Sequence, residues 1–343
     1  MHATVVDYLG AHRAAGYETA SAFDPGPHIA EAEIAHRSRP DVLAHCVDTL
    51  LARNPEVVGS RLVIVEAAQT TGAYFPSNVE DYLPTPSQTN PRLAAWRRDR
   101  LVISHACASA GLALAVAAAL IQRDRCDHAL VLGATAPGFI ERAAFASSGA
   151  LTDLEYCRPF DASADGTALG FFVGAVILGS AAADRPDRPV ISGIGIQTLG
   201  LGAQSDLDSQ LWCMSSAVRS AGVSPQFVAA HATGTKHGDR VELDAVAALG
   251  RSLDTELYVS SCKGEVGHSV HSAGLASAMV AFETLRRGRI FGTQHCLDPI
   301  EAAGARVVSH GHTIDNTGPS AGIVNAFGFG GTSCSILVQQ GRE

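Results

Sequence analysis

Along the first sixty residues hydrophobic patterning is sparse, with one clear exception. From Asp41 to Ala52 (DVLAHCVDTLLA) apolar residues recur at helical spacing, and Arg61 to Ala67 (RLVIVEA) then forms a short apolar run of strand length. Thr70 to Arg92 is rich in Thr, Ser, Asn and Pro, which predicts a long irregular segment of a kind that is uncommon and often functional. Beyond it the pattern sharpens. Leu101 to His105 reads as a short strand, Cys107 to Arg123 as a small-residue helix, His128 to Gly133 as a strand, and Leu169 to Leu178 as a long apolar strand.

Ala182 to Pro189 (AADRPDRP) is polar and Pro-rich and reads as a connector. After it the same grammar returns. Strands are predicted over Val190–Ile196, Phe227–His231 and Glu256–Ser261. They alternate with helices over Asp206–Ala221, Asp239–Leu249 and Ser272–Arg287, the last ending at Gly288 as a natural C-cap. Gly322–Ala326 and Ser335–Gln339 close the chain as strands. Such alternation predicts an α/β fold with a parallel or mixed sheet covered on both faces. The expectation is a single fused domain over 1–343, with one half at about 1–181 and a second at about 190–343.

Composition supports a large core and narrows the function classes. Of 343 residues 46% are hydrophobic and 17% charged, a balance suited to a well-buried interior. A formal net charge of −9 argues against nucleic-acid binding. Two basic runs, Arg97-Arg98-Asp99-Arg100 and Arg286-Arg287-Gly288-Arg289, read as solvated surface, the second also suiting the last turn of a helix. Eight cysteines are scattered without a C-x-x-C pair, so neither zinc nor a disulfide framework is indicated. The longest apolar stretch, Gly111 to Ile121, is too short to span a bilayer, and the first residues lack the features of a secretory signal. A soluble, cytoplasmic, reduced protein is expected.

Candidate chemistry gathers at a few junctions. Cys107 follows a strand and opens the predicted helix, where backbone N–H groups and the positive end of the dipole favour a thiolate. Ala106, Ala108, Ser109, Ala110 and Gly111 around it are small enough to admit an acyl group. His231 opens H-A-T-G-T-K-H-G-D, and His268 sits in K-G-E-V-G-H-S-V-H-S-A-G; both lie where a strand gives way to a loop, the usual location of functional side chains in α/β folds. Ala326 to Thr332 (AFGFGGT) is a Gly-dense turn that can aim backbone N–H groups at an oxyanion or serve only as a tight hairpin. It lacks the Lys-Ser/Thr of a phosphate loop, and Gly193 to Gly200 misses the dinucleotide spacing, so no cofactor is indicated.

Taken in order, five segments resemble the β-ketoacyl synthases of the thiolase superfamily. They are Ala106-Cys107-Ala108-Ser109, Cys157-Arg158-Pro159-Phe160-Asp161 with Ala164-Asp165-Gly166, His231 to Asp239, Lys263 to Gly274, and Asn325 to Thr332. The resemblance covers about residues 100–340. It implies a thiolase-like fold, with two similar βαβ halves layered α-β-α-β-α, and an elongating Cys-His-His enzyme of fatty-acid or polyketide-like biosynthesis. By the same resemblance Cys107 carries the acyl group. His231 and His268 bind a malonyl-type extender, promote its decarboxylation and stabilise the enolate, and Lys263 supports them electrostatically. The N–H groups of Cys107 and Phe327 form the oxyanion hole, Phe327 also gates the acyl pocket, and Asp239 and Glu242 hold the His231 loop. Thr233, Thr235 and Phe329 are implied as supporting residues.

The implied partners are acyl carrier protein or coenzyme A thioesters, with a homodimer, or a heterodimer with a chain-length-factor-like subunit. Two alternatives stand beside the condensing enzyme: an acyltransferase that passes the Cys107 acyl group to oxygen or nitrogen, and a non-catalytic partner subunit. The first hundred residues are compact compared with the family, and its usual opening strand is not visible there. His105 and His271 are extra imidazoles, read as locally hydrogen-bonded.

Overall fold

The structure is a computed structural model that describes residues 2–12, 39–68, 99–180, 188–199, 206–315 and 318–341. The segment predicted irregular over Thr70–Arg92, with Arg97, Arg98 and nearly all of the Ala182–Pro189 connector, lies outside these residues. The first half contributes β1 (Ala3–His12), α1 (Arg39–Arg53), β2 (Leu62–Ala67), β3 (Arg100–Ile103), α2 (Ser109–Gln122), β4 (His128–Thr135), α3 (Phe139–Ser147) and β5 (Phe172–Ser180). The second half contributes β6 (Pro189–Thr198), α4 (Leu207–Ala221), β7 (Phe227–Ala229), α5 (Lys236–Ser252), β8 (Leu257–Ser260) and α6 (Ala273–Arg287). It closes with β9 (Ile290–Phe291), β10 (Ala305–Val307), β11 (Thr313–Ile314), β12 (Ala321–Gly328) and β13 (Thr332–Gln340).

Eleven strands join in the order β10-β8-β7-β12-β13-β6-β1-β5-β4-β2-β3. The two halves repeat one pattern. In the first, β1, β5 and β4 pair antiparallel, and β4, β2 and β3 parallel. In the second, β6, β13 and β12 pair antiparallel, and β12, β7 and β8 parallel. Among the described strands the two halves of the sheet are joined where Ala3 pairs with Ile191 and Thr4 with Val190.

Three apolar clusters give the layering. Val42, Leu43, Val47 and Leu50 of α1 cover Ile64, Leu130 and Ile177 on one outer face. Met214 of α4 with Leu243 and Val246 of α5 cover Val228, Ile323 and Leu337 on the other. Between the two halves of the sheet, Leu114 and Ile121 of α2 and Leu275, Met279 and Phe282 of α6 meet Val65, Val131, Val324 and Ile336. Adjacent strand residues thus serve opposite layers, Ile64 outward and Val65 inward, because side chains alternate across a strand. This is the α-β-α-β-α arrangement expected. The central helices touch closely: a Cβ on Gly274 would lie 2.8 Å from the Gly111 nitrogen, so the crossing depends on having no side chain there.

Two elements depart from the sequence reading. β1 lies at the centre of the sheet, although its stretch showed no strand pattern. Both its faces are covered, so apolar and polar positions do not alternate. Its polar side chains are bonded instead: Asp7 accepts from Asn54 Nδ2 at 3.0 Å, and the Tyr8 hydroxyl donates to the buried Glu283 carboxylate. α3 was also unmarked, because Phe145 is its only buried residue and a single anchor leaves no periodicity. Gly288 closes α6 at φ 66°, as its position predicts. Arg286 and Arg287 both bond Glu283, and Arg289 bonds Asp315, so the second basic run is tied to carboxylates. Among the described residues no helix is long and apolar enough to cross a membrane, and no cluster of side chains suits a metal ion.

Candidate active site

Cys107 sits in a tight turn before α2, which begins at Ser109 rather than at the cysteine. Ala106 has φ +47°, a backbone region that residues with a side chain rarely occupy. The turn is held by Ala108 N–H to His105 O at 3.0 Å, and by Ser109 Oγ, which donates to Ala106 O at 2.6 Å and accepts from His105 N–H at 2.8 Å. Strain of this kind survives only where surrounding bonds impose it. Gly328 lets the β12–β13 turn approach from above, since a Cβ there would lie 2.8 Å from His105 O.

The second half brings up the imidazoles. His231 follows β7, and His268 lies between β8 and α6. His268 Nε2 is 3.1 Å from Cys107 Sγ, and the two rings stand edge to face with centroids 5.5 Å apart. Lys263 is buried behind them, and its Nζ donates to the His231 carbonyl oxygen. Burial first, and then the Lys263 charge, hold both imidazoles well below the usual histidine value. Both are therefore neutral at pH 7.

The sulfur behaves differently from the sequence expectation. Burial pushes the Cys107 thiol up to about 11, while the Lys263 charge and the Phe329 N–H pull it down. At rest it is a thiol, and His268 is placed to take its proton. The Phe329 N–H bonds the sulfur. Phe327 is a strand residue in register with Ser333, whereas Phe329 lies past the end of β12 and is released from the ladder. The Phe327 ring instead faces His231, with centroids 5.8 Å apart.

Two carboxylates shape the His231 loop. Glu242 accepts from the N–H groups of His231 at 2.8 Å and Ala232 at 2.7 Å, and from Asn325 Nδ2 at 2.9 Å. Asp239 accepts from Thr233 and Gly234, and from Phe160 at 2.7 Å, which stitches the Cys157–Asp161 segment to the same loop. Burial drives the Asp239 carboxyl up to about 7 against these donors. The Thr233 and Thr235 hydroxyls bond each other at 3.1 Å.

A cavity of about 580 Å³, open to solvent, is lined by Cys107, His231, His268, Thr233, Thr235, Asp239, Glu242, Phe327 and Phe329. Lys263 stands behind this wall. His105 and His271 are not part of it; His271 Nε2 bonds Thr135 and Ala134 instead. Sequence reading missed Phe145, Ala150, Thr167 and Gln210 as cavity residues. Phe145 packs edge-on against both His268 (5.6 Å) and Phe329 (5.5 Å). The Ala164-Asp165-Gly166 motif was the available pointer to Thr167, its next residue.

The imidazole environment carries a pH prediction. Turnover that needs both rings neutral should stay flat as pH falls from 8 through 6.5 and decline only in more acid solution, because the rings titrate below the ordinary value near 6.5. A pH–rate profile inflecting at about 6.5 would contradict this burial.

The family model for the β-ketoacyl synthase N-terminal domain matches residues 100–183, and that for the C-terminal domain matches residues 190–297. The chain is 31% identical over 265 residues to the erythronolide synthase EryA3 of Saccharopolyspora erythraea, covering 71% of this chain and 8% of that protein. A β-ketoacyl synthase structure from Burkholderia phymatum superposes with a TM-score of 0.73 at 21% identity, covering 88% of this chain and 81% of that one. A type II polyketide acyl-carrier protein in complex with its ketosynthase gives a TM-score of 0.74 at 18% identity, covering 88% and 83%. Matched on both sides of the connector by the two halves of one family's models, the chain belongs to the β-ketoacyl synthase family.

Proposed function

We propose that this chain is a condensing enzyme that joins an acyl thioester to a malonyl-type thioester. The observation that carries the reading is the shared cavity, with Cys107 Sγ 3.1 Å from His268 Nε2 and the His231 ring beside it. In the first step the Cys107 proton passes to His268 and the sulfur attacks the acyl carbonyl. The donor carbon–sulfur bond breaks and the departing thiolate takes the proton. In this reading the Phe329 and Cys107 N–H groups hold the transient oxyanion, a contribution of about 3–4 kcal/mol per donor.

In the second step the extender loses carbon dioxide, and the bond's electron pair becomes an enolate. Neutral imidazoles suit that charge, since they donate hydrogen bonds without being consumed as acids. The enolate carbon attacks the acyl-enzyme, a carbon–carbon bond forms, and the Cys107 thiolate leaves and takes a proton from solvent.

The names of the relatives support polyketide assembly as the setting, and the donors proposed for this chain are carrier-protein or coenzyme A thioesters. We extend the proposal to one functional unit over 1–343, because the nucleophile and the imidazoles come from different halves, and to a homodimer along β3. That strand is one of the two edges of the sheet among the described residues, and its Leu101 and Val102 are exposed apolar residues. The test is incubation with acyl and malonyl thioesters of a carrier protein, followed by intact-mass and product analysis. Acylation of Cys107, carbon dioxide release and an extended β-ketoacyl product are expected, from a species whose native mass is twice that of one chain. Acylation without carbon dioxide would favour plain acyl transfer, and no acylation would sink the reading.

A further inference from the structure

Thr167 lies in a segment that precedes both histidine loops in the chain and packs against them. Its neighbours tie it to both. Gly166 N–H donates to Gly234 O of the His231 loop at 3.0 Å, and Ala168 O accepts the His268 N–H at 2.7 Å. Thr167 is itself fixed by its N–H to Ala150 O at 2.7 Å. Its side chain is 1% exposed and lines the catalytic cavity, and its hydroxyl has no hydrogen-bond partner among the described residues. A buried hydroxyl left unbonded costs about 1–3 kcal/mol, so its retention on the wall of a cavity points to a ligand.

The ligand's chemistry follows from what else faces that space. A malonyl-type extender brings two oxygen groups, a thioester carbonyl and a free carboxylate. The imidazoles suit the first, where the enolate charge develops. The carboxylate needs its own donor. One of the Thr233 and Thr235 hydroxyls donates to the other, Lys263 is turned to the His231 carbonyl, and Asp239 and Glu242 repel an anion, whereas the Thr167 hydroxyl has no bond of its own among the described residues. The geometry points to Thr167 Oγ1 as the donor that anchors the extender's free carboxylate beside the imidazoles before decarboxylation. This assignment rests on the condensing reading and names the substrate group that one side chain recognises. An acetyl thioester has no such group and should be indifferent to the hydroxyl.

The experiment compares wild type, Thr167→Val and Thr167→Ser with acetyl and malonyl thioesters of a carrier protein. Valine keeps the shape and removes the donor; serine keeps the donor. Thr167→Val should load acetyl on Cys107 within about twofold of wild type, while the KM for malonyl in carbon dioxide release rises roughly tenfold or more, the expected effect of one lost hydrogen bond to a charged group. Thr167→Ser should return to within about threefold. An unchanged malonyl KM in the valine variant, an equal loss of acetyl loading, or a failure of serine to rescue would each overturn the assignment. A wild-type protein that loads acetyl and releases carbon dioxide keeps the condensing reading even if the assignment falls. One that does neither removes both.

Discussion

Cys107→Ala should show no acyl adduct by intact mass and lose condensation by at least ~10³-fold. The nearby thiols offer no substitute. Cys157 donates to Lys263 O, and Cys262 lies 3.7 Å from Ser277 Oγ. Burial raises both, Cys157 to about 12, so neither is a ready nucleophile. The variant also separates the two half-reactions. His231 and His268 do not depend on the sulfur for their placement, since the one is held through Glu242 and the other through Ala168. Carbon dioxide release from a malonyl thioester should therefore remain measurable while product vanishes. An acylated Cys107→Ala protein would show that another residue is the nucleophile.

Glu242→Ala should have the largest effect on stability. The carboxylate is 1% exposed and is the acceptor for three donors, His231 N–H, Ala232 N–H and Asn325 Nδ2. Alanine leaves these buried donors without their acceptor. A buried donor left unsatisfied typically costs about 1–3 kcal/mol. The urea midpoint should fall accordingly, and the His231 loop should lose its shape even below that midpoint. Activity lost without any shift in midpoint would mean that Glu242 acts in the chemistry rather than in holding the loop.

Much of the architecture was legible because packing writes itself into periodicity. α4 buries one broad face, α6 is buried all round from Ala273 to Leu285, and β5 is covered on both sides, so their apolar patterns stand out. β1 was hidden by the same physics that makes it central: enclosed on both faces and carrying Asp7 and Gly10, it shows no alternation. α3 was hidden for the opposite cause, having one anchor and a solvent-facing remainder.

The site divides in the same way. Residue type and order along the chain pick out Cys107, His231, Lys263 and His268, because thiol, imidazole and ammonium chemistry is intrinsic to those side chains and their loops carry glycine where the backbone must turn. That the Phe329 N–H lies outside the strand ladder depended on where β12 ends, a matter of pairing with β13. The protonation of the thiol depended on burial outweighing charge and hydrogen bonds. The cavity walls of Phe145, Thr167 and Gln210 came from three separate segments folded onto one space. Chemical identity is local and survives as a string of letters. Distance, desolvation and strand termination arise between segments far apart in the chain, and only the folded molecule brings them together.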